Sequence, residues 1–508
     1  MTSPASALPD DPGTLKALLE EERAENERLR QIIKAMQRHR FGRRAESLPE
    51  DQLLLGLEEA EQVEAAGLEK AETAPAVKAE RTTRRRANRG ALPSHLPRVE
   101  TLVDVESTAC PCCSGTMHRI GEDVSERLDI VPAQVRVLVI RRPKYACRAC
   151  EDVVVQAPAP ARLIEGGLPT DSTLAQVLVS KYADHLPLYR QAQIYARQGV
   201  SLDRSTLADW VGRAAFLLRP VHQRLLDKLK ASPKLFADET TAPVLDPGRG
   251  RTKTGQLWAY ARDDRPWGGT DPPGVAYVYA PDRTAERPVA HLAGFRGILQ
   301  VDGYEAYKTL ARRGEVHLAF CWSHVRRAFY DLAKGLAPIA TEALARIAAL
   351  YRIESAIRGR SAEERRAVRQ ARSRPVIEAL EPWLREKLAL ISQKSTLAEA
   401  IRYALTRWAG LTLFLEDGRV EIDSNTVERA IRPLALTRKN ALFAGSDSGA
   451  EHWAVVASLI ETCKLIGVEP RAYLTDVIAR IVNGHPQSRL DDLLPWAYPT
   501  TPHLKAAA

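Results

Sequence analysis

The sequence contains no run of about eighteen apolar residues, the length that a membrane-spanning helix requires. Its first residues also lack a basic segment followed by an apolar one, so the sequence predicts neither a secretory signal nor a membrane partner. Cysteine is scarce, with seven residues in 508, and in a chain without a secretory signal this argues against a disulfide framework. We therefore expect a cytoplasmic protein whose cysteines bind metal or fill the core.

The chain is long, and its charged residues are unevenly distributed. A length of 508 residues exceeds a single hydrophobic core and predicts several domains. The net charge of +9 permits a polyanionic partner. Residues 50–72 contain eight acidic residues and one lysine, whereas residues 81–98 contain six arginines and no acid. This pattern predicts an acidic and then basic linker over 47–98 that acts as a tether; for the acidic half, a solvated disordered linker is the alternative.

Residues 13–46 carry a heptad pattern. Apolar residues alternate at spacings of three and four from Leu15 to Met36, and Glu22 and Asn26 interrupt the series. An asparagine in such a seam fixes register and oligomeric state at some cost in stability. We expect a short coiled coil, or zipper helix, through which the chain forms a homo-oligomer. An amphipathic helix that packs on its own domain is the alternative.

Residues 99–157 are predicted to form a small zinc-binding module. Four cysteines form two pairs with two-residue gaps, Cys110 with Cys113 and Cys147 with Cys150. Thiolates at this spacing bind structural Zn²⁺ and stabilise a module that has little core. The 33 residues between the pairs must contain a hairpin, and Val135–Ile140 has the β-branched composition of a strand. Cys112 and His118 are substitute ligands, and a redox-active pair is the alternative.

Residues 170–232 are predicted to be helical and to contain a helix-turn-helix. Leu188–Arg197 has the pattern of an amphipathic helix, Gly199 lies in the turn, and a second helix is expected at Leu207–Arg213. The second helix of such a unit enters the major groove of DNA. The candidate DNA-contacting residues of this unit are Arg190, Arg197, Arg204, Ser205 and Thr206. Two helices of an ordinary bundle are the alternative.

From residue 233 the pattern changes to short apolar strands. Five are predicted, at Lys234–Ala237, Gln256–Ala261, Val275–Ala280, Ile298–Val301 and Val316–Cys321, with helices around the fourth. This order is typical of a ribonuclease-H-like core, in which the first and fourth strands are neighbours. A long helical block follows and predicts a helical insertion at about 330–420 within a catalytic domain of 233–447. Residues 448–508 are predicted to form a C-terminal helical domain, so the predicted fold class is multidomain α/β.

Three acidic residues in separate segments are the candidate catalytic residues. Asp238 and Asp302 end the first and fourth apolar runs, and Glu428 lies on a predicted helix. If those two strands are neighbours, Asp238 lies beside Asp302. Three carboxylates suit a pair of hard divalent cations, Mg²⁺ or Mn²⁺, held about 3.5–4 Å apart for phosphodiester chemistry. Glu239 and Asp423 are the alternative acids.

Polar and basic residues near these acids are candidate contacts to DNA. Asn425 and Arg432 share a helix face with Glu428 by spacings of three, four and seven. The full set is His324, Arg326, Arg327, Asn425, Arg432, Arg438 and Lys439. Cys321 and His324 have a spacing that metal ligands use, but two ligands make an incomplete site. We therefore expect Cys321 in the core and His324 in a structural or DNA-contacting role.

Ten short motifs run in order along nearly the whole chain. They are FGRRAE at 41–46, LPSHLPR at 92–98, CPCC at 110–113, RPKYACRAC at 142–150, PLYRQ at 187–191, ADET at 237–240, DPGRG at 246–250, VDGY at 301–304, CWSHVRRAF at 321–329 and RKNALFAGS at 438–446. Together they resemble the large transposase of insertion sequence family sixty-six. Ser424 stands where that family usually carries an asparagine.

The resemblance implies a DDE transposase with Asp238, Asp302 and Glu428 as its triad, together with a zinc module, a helix-turn-helix for the element's terminal repeats and a zipper. It also implies DNA partners at the element ends and the target, small accessory proteins of the same element, and a bacterial, nucleoid-associated location. We expect Mg²⁺-dependent cleavage followed by strand transfer. An inactive DNA-binding relative and a structure-selective nuclease on the same core are the alternatives.

Overall fold

The computed structural model describes residues 135–146, 154–312, 315–333 and 337–499. The predicted zipper helix, the predicted linker and the four predicted zinc ligands lie outside these residues. Strands β1 (Lys144–Ala146) and β2 (Val154–Gln156) form a two-stranded antiparallel ribbon. Val135–Ile140 is exposed and is not a strand, so that prediction is wrong. A β-branched composition favours a strand where neighbouring side chains and strands pack against it, and composition alone does not supply that partner.

Three helices precede the main sheet: α1 (Asp171–Tyr182), α2 (Leu188–Arg197) and α3 (Arg204–Lys230). The predicted second helix at Leu207–Arg213 is therefore only the first part of a helix of 27 residues. Pro220 lies inside α3 and removes one backbone donor, which ordinarily ends or kinks a helix. The helix continues because its apolar face, including Leu218, Val221 and Leu225, is fully buried.

The main sheet has five strands: β3 (Lys234–Asp246), β4 (Arg251–Arg262), β5 (Gly274–Ala280), β6 (Gly297–Val301) and β7 (Val316–Phe320). Their spatial order is β5-β4-β3-β6-β7. The pairs β3–β4 and β4–β5 are antiparallel, whereas β3–β6 and β6–β7 are parallel. The first and fourth strands of this sheet are thus neighbours, as the sequence predicted.

Strand β3 is much longer than its apolar run predicts. It continues past Ala237 to Asp246 because the residues from Phe236 onward pair with β4 from Ala261 back to Arg251. This ladder supplies the hydrogen bonds that a short apolar run cannot indicate. Asp238 consequently lies inside a strand, and its prediction as a strand-end residue is wrong.

Helices α4 (Glu286–His291) and α5 (Glu305–Ala311) cover one face of the sheet. Trp258 of β4 packs edge-on against Tyr307 of α5, with ring centroids 5.9 Å apart. Two residues further along β4, the Tyr260 hydroxyl lies 3.0 Å from Nδ1 of His291 on α4. Because alternate residues of a strand share a face, these contacts place α4 and α5 on the same side of β4.

A helical block follows β7 and has a core of its own. Its helices are α6 (Trp322–Ala333), α7 (Pro338–Ile357), α8 (Ala362–Val368), α9 (Arg374–Leu390), α10 (Thr396–Leu405) and α11 (Trp408–Glu416), with a π-helical turn at Arg369–Ser373 between α8 and α9. Apolar side chains such as Ile347, Leu350, Leu380 and Phe414 are almost wholly buried in this block.

Four charged residues form what we name the insertion cluster: Glu354, Arg365 and Arg369, which are buried in the helical block, and Glu421, which is half-buried in the segment after α11. Arg369 is 0 % exposed and donates two hydrogen bonds to the Glu354 carboxylate, at 2.8 and 2.6 Å. It also donates to the carbonyl oxygen of Phe414 at 2.9 Å. Arg365 contacts Glu421 at 2.8 Å. Each buried charge therefore has an opposite charge beside it.

The remaining helices are α12 (Asn425–Ala441), α13 (Asp447–Ile466) and α14 (Pro470–Val482), followed by short 3-10 turns at Gln487–Leu493 and Pro495–Ala497. The Tyr277 hydroxyl of β5 donates to the carbonyl oxygen of Ala430 on α12 at 2.6 Å. Tyr277 is paired with Ala259, which faces away from Trp258 and Tyr260. Helix α12 thus covers the sheet face opposite to α4 and α5.

Helix α13 lies against β5, the edge strand of the sheet. The Ser458 hydroxyl oxygen accepts the backbone N–H of Tyr277 at 2.7 Å. The Thr462 hydroxyl accepts the N–H of Val275 at 3.1 Å and lies 3.0 Å from the Val275 carbonyl oxygen. Helix α13 thereby satisfies backbone groups that no strand pairs. None of the helices within the described ranges is long and apolar enough to cross a membrane.

Candidate functional site

Neighbouring acids on β3 point to opposite faces of the sheet. Asp238 is paired with Ala259, whereas Glu239 is paired with Trp258. Successive side chains of a strand alternate between faces, so Asp238 faces α12 and Glu239 faces α5. This alternation places Asp238 and Glu239, which are neighbours in the sequence, on different faces of the sheet.

Asp302 follows the end of β6 and lies level with Asp238. The parallel pairing of Lys234 with Ile298 sets a register that, continued by four residues, places 302 opposite 238. Oδ1 of Asp302 accepts the N–H of Tyr304 at 2.9 Å, which fixes the carboxyl group in the turn. Gly303 has φ +104°, a conformation that favours glycine, and an added Cβ there would lie 2.5 Å from Nε of Arg407.

Glu428 lies in the first turn of α12, on the helix that covers the Asp238 face of the sheet. The Ser424 hydroxyl donates to Oε1 of Glu428 at 3.2 Å. Nδ1 of His324 lies 3.8 Å from the same oxygen. Near the other end of α12, Arg438 donates to the Thr240 hydroxyl at 3.1 Å and to the Thr241 carbonyl oxygen at 2.7 Å. These bonds attach the C-terminal part of α12 to the residues of β3 that follow Asp238.

Asp238, Asp302 and Glu428 form what we name the carboxylate cluster. The pKa of Asp238 is raised to about 8, first by burial, then by the charges of Asp302 and Glu239, and further by that of Glu428. One hydrogen bond acts in the opposite direction, from the backbone N–H of Glu239 to Oδ1 of Asp238 at 2.8 Å. Asp238 is therefore partly desolvated and lies among charges of its own sign, an environment that a bound cation would relieve.

The two alternative acids are already engaged by protein groups. Glu239 forms an ion pair with Arg283, and its Oε2 accepts the Tyr307 hydroxyl at 3.0 Å. Asp423 accepts the side-chain amide of Asn425 at 2.9 Å and its backbone N–H at 3.2 Å. Burial raises the pKa of both carboxyl groups above the usual value. Glu239 is thus neutralised by a guanidinium group, and both oxygens of Asp423 accept hydrogen bonds from Asn425.

A second group of donor atoms adjoins the carboxylate cluster. The Cys321 sulfur, an imidazole nitrogen of His324 and a carboxylate oxygen of Glu428 all lie within 4.8 Å of one another. The sequence indicated the spacing of Cys321 and His324 but not their third neighbour, because Glu428 is about a hundred residues away in the chain. Arg283 and Tyr307, which hold Glu239, were also missed, since neither belongs to a recognisable motif.

Most of the predicted DNA-contacting side chains are on the surface. The exposed members are Arg190, Arg197, Arg204, Ser205, Arg326, Arg327, Arg432 and Lys439, and the half-buried members are Thr206, His324, Asn425 and Arg438. Arg204, Ser205 and Thr206 form the first turn of α3. Asn425 and Arg438 differ from the prediction in that they already bind protein groups, Asp423 and the β3 threonines respectively.

Four protein-family models match the chain. The model of the Transposase IS66 family matches residues 166–452, and the zinc-finger binding domain of transposase IS66 matches residues 107–151. The IS66 C-terminal element matches residues 458–496, and the model described as Transposase C of IS166 homeodomain matches residues 28–101. The first match alone covers more than half of the sequence. The chain therefore belongs to the IS66 family of transposases.

Relatives from Sinorhizobium fredii resemble the chain over most of its length. The uncharacterized protein y4jD is 52 % identical over 417 residues, which are 80 % of this chain and 82 % of that protein. The uncharacterized protein y4qI is 45 % identical over 542 residues, 98 % of this chain and 99 % of that protein. The similarity thus extends across the sheet, the helical block and the C-terminal helices.

Proposed function

We propose that this chain is a DNA transposase that cuts DNA at the ends of an insertion sequence and joins those ends to target DNA. The observation that carries the proposal is geometric: the β3–β6 register sets Asp238 beside Asp302, and α12, which bears Glu428, covers the same face of the sheet. Family membership supports the same reaction class. The three residues are the proposed DDE triad.

The proposed core is ribonuclease-H-like. The order β5-β4-β3-β6-β7, with three antiparallel strands followed by two parallel ones, supports this assignment. So does the position of the helical block between β7 and α12, which makes it an insertion between the second and third acids. Strand β3 and helix α12 position Asp238 and Glu428, and the turn that directly follows β6 positions Asp302 through its bond with the Tyr304 N–H.

The carboxylate cluster fits a pair of Mg²⁺ or Mn²⁺ ions. All three side chains offer oxygen ligands, which these hard cations prefer. Burial first, and then the neighbouring negative charges, raise the pKa of Asp238, and a positive charge would offset both effects. Bound there, such ions supply the Lewis acidity that activates an attacking oxygen and stabilises a leaving 3′ oxygen.

The protein's own groups bind and orient the DNA. Exposed arginines on α6 (Arg326 and Arg327) and basic residues on α12 (Arg432 and Lys439) contact phosphates beside the cluster. The first turn of α3 contacts base edges at the element end. Water first attacks the phosphodiester at that end and frees a 3′-OH. The 3′-OH then attacks target DNA, forming one phosphodiester bond as another breaks.

Other parts of the chain serve this reaction in the proposal. Cys110, Cys113, Cys147 and Cys150 bind structural Zn²⁺ in the zinc-finger segment that matches residues 107–151. The N-terminal zipper pairs two chains, so that both element ends are held in one complex. Small accessory proteins of the same element join this complex.

The deciding experiment is cleavage and strand transfer on a labelled duplex carrying the end of the insertion sequence, in the presence of Mg²⁺. Glu428→Gln keeps the size of the side chain and removes its charge, so it should abolish both products while the protein still binds the duplex. The matched control is Glu451→Gln, because Glu451 is an exposed acid on α13 paired with Arg219.

The outcomes separate the proposed function from its rivals. Strand-transfer products that require Glu428 but not Glu451 establish the transposase. Cleavage without any joining to target DNA supports the nuclease. Specific binding without Mg²⁺-dependent cleavage supports the inactive DNA-binding relative, once the accessory proteins have been added without effect.

A further inference from the structure

Three side chains with different donor atoms converge beside the carboxylate cluster. Cys321 directly follows β7, His324 lies in the first turn of α6, and Glu428 lies in the first turn of α12. Their sulfur, nitrogen and oxygen donors all lie within 4.8 Å of one another. The three-residue spacing of Cys321 and His324 brings both side chains to one side of the α6 N-terminus, and that side faces Glu428.

The donor atoms of Cys321 and His324 are held in a way that suits a metal ion. Nδ1 of His324 is buried, has no hydrogen-bond partner among the described residues, and lies 3.8 Å from Oε1 of Glu428. A buried nitrogen without a partner is uncommon, and an ion is one accepted explanation. Cys321 is 1 % exposed, and its sulfur accepts the backbone N–H of Ser424 at 3.2 Å. Burial raises the pKa of the Cys321 thiol to about 11 and the amide N–H acts in the opposite direction, so the thiol proton leaves only when a metal ion takes its place.

This donor set favours a different cation from the one that the carboxylate cluster favours. Thiolate and imidazole ligands favour Zn²⁺ and similar thiophilic ions, whereas Mg²⁺ favours oxygen ligands. With metal–ligand bonds of about 2.0–2.3 Å, the ligands of a tetrahedral zinc ion lie roughly 3.3–3.7 Å apart. The His324–Glu428 separation of 3.8 Å is close to that range. Three protein ligands leave the fourth position for water.

We propose that Cys321, His324 and Glu428 form a Zn²⁺ site that is separate from the zinc-finger segment and shares Glu428 with the carboxylate cluster. Binding releases the thiol proton to solvent, since the thiolate is the ligand. Occupation of the site draws the Glu428 carboxylate toward sulfur and nitrogen and away from Asp238 and Asp302. Zinc bound here therefore inhibits DNA cleavage; this consequence rests on the proposed function, whereas the binding site does not.

The binding site is tested by titrating the full-length protein with Cd²⁺ and recording the ultraviolet charge-transfer band of cadmium–thiolate bonds. In Cys321→Ser the intensity of this band at saturation should be lower than in the unchanged protein by the contribution of one thiolate. Cys463→Ser, which alters the other free cysteine among the described residues, should lose nothing. Equal bands in all three proteins would overturn the site.

His324→Gln provides an independent variant that keeps the thiol. The cadmium concentration at which the Cys321 part of the band is half-developed should rise by at least about tenfold, because one ligand has been removed. An unchanged titration in this variant would show that His324 is not a ligand, and would overturn the three-residue site even if Cys321→Ser failed to fold.

Inhibition is tested by adding Zn²⁺ to the Mg²⁺-dependent cleavage reaction. The zinc concentration for half-inhibition should rise by at least about tenfold in Cys321→Ser and stay unchanged in Cys463→Ser. Equal inhibition of all three proteins would overturn the shared role of Glu428. A complete lack of cleavage with Mg²⁺ alone would count against the proposed function, and the cadmium titration would still decide whether the site exists.

Discussion

The insertion cluster and the carboxylate cluster both bring charged side chains together away from full contact with water, but only the first balances its charges. Two guanidinium groups meet two carboxylates in the insertion cluster, and Arg369 is further satisfied by a backbone carbonyl group. In the carboxylate cluster, the side chain of Asp238 is exposed to the charges of Asp302, Glu239 and Glu428, all of the same sign. The nearby guanidinium of Arg283 is engaged by Glu239.

This difference indicates what each cluster does. A buried charge is tolerated where an opposite charge replaces its water, and in the insertion cluster the two positive and two negative charges balance within the folded chain. Buried like charges raise the free energy of the folded state unless something from outside neutralises them. The carboxylate cluster is thus suited to bind a positively charged ligand, whereas the insertion cluster stabilises the folded chain.

The largest expected effect on stability comes from breaking the balanced cluster. Arg369→Ala leaves the Glu354 carboxylate buried with much of its positive partner removed, so the free energy of unfolding should fall by about 3–5 kcal/mol. Chemical denaturation measures this change. Arg385→Ala is the matched control, because its pair with Glu381 is exposed and should contribute less than about 1 kcal/mol. Similar losses in both variants would contradict the distinction.

A smaller effect is expected from supplying the missing charge. Mg²⁺ at about 100 times its dissociation constant should stabilise the protein by about 2.7 kcal/mol, because it binds the folded state and not the unfolded chain. Thermal unfolding with and without Mg²⁺ measures the gain. Asp238→Asn should lose the gain and Glu451→Gln should keep it. Stabilisation that persists in Asp238→Asn would place the ion elsewhere.

The smallest effect should have the opposite sign to that of Arg369→Ala. Asp302→Asn removes a negative charge beside Asp238 and keeps an oxygen that accepts the Tyr304 N–H. In a chelating buffer its free energy of unfolding should therefore be unchanged or higher by up to about 1 kcal/mol. The same variant should have no cleavage activity. A loss of stability comparable to that of Arg369→Ala would show that Asp302 is a structural residue.

Local patterns predicted the number and order of the strands in the central sheet, because each strand contains a short apolar run, although β3 and β4 extend well beyond theirs. Strand β6 begins one residue before the predicted Ile298, and α2 has the predicted bounds. The neighbouring positions of β3 and β6 followed from the order of elements, and with them the level placement of Asp238 and Asp302. The order of the elements can thus be predicted from the sequence where each element has a clear local pattern.

Features that depend on tertiary partners could not be predicted. The full length of β3 is set by its ladder with β4, and the continuation of α3 through Pro220 is set by burial of its apolar face. The meeting of His324 with Glu428 depends on how α12 returns to the sheet after the whole helical insertion. In each case the deciding interaction joins residues that no sequence window contains.

The two hydroxyl groups with which α13 covers β5 also protect the edge of the sheet from pairing with other molecules. An open sheet edge attracts a strand from another molecule, because its unpaired backbone groups repeat at the strand spacing. Ser458 and Thr462 are four residues apart on a helix, about 6 Å along its axis, which nearly matches the two-residue repeat of about 6.8 Å on a strand. The helix therefore imitates a neighbouring strand at that edge. It shields this edge of the sheet from pairing with a strand of another molecule.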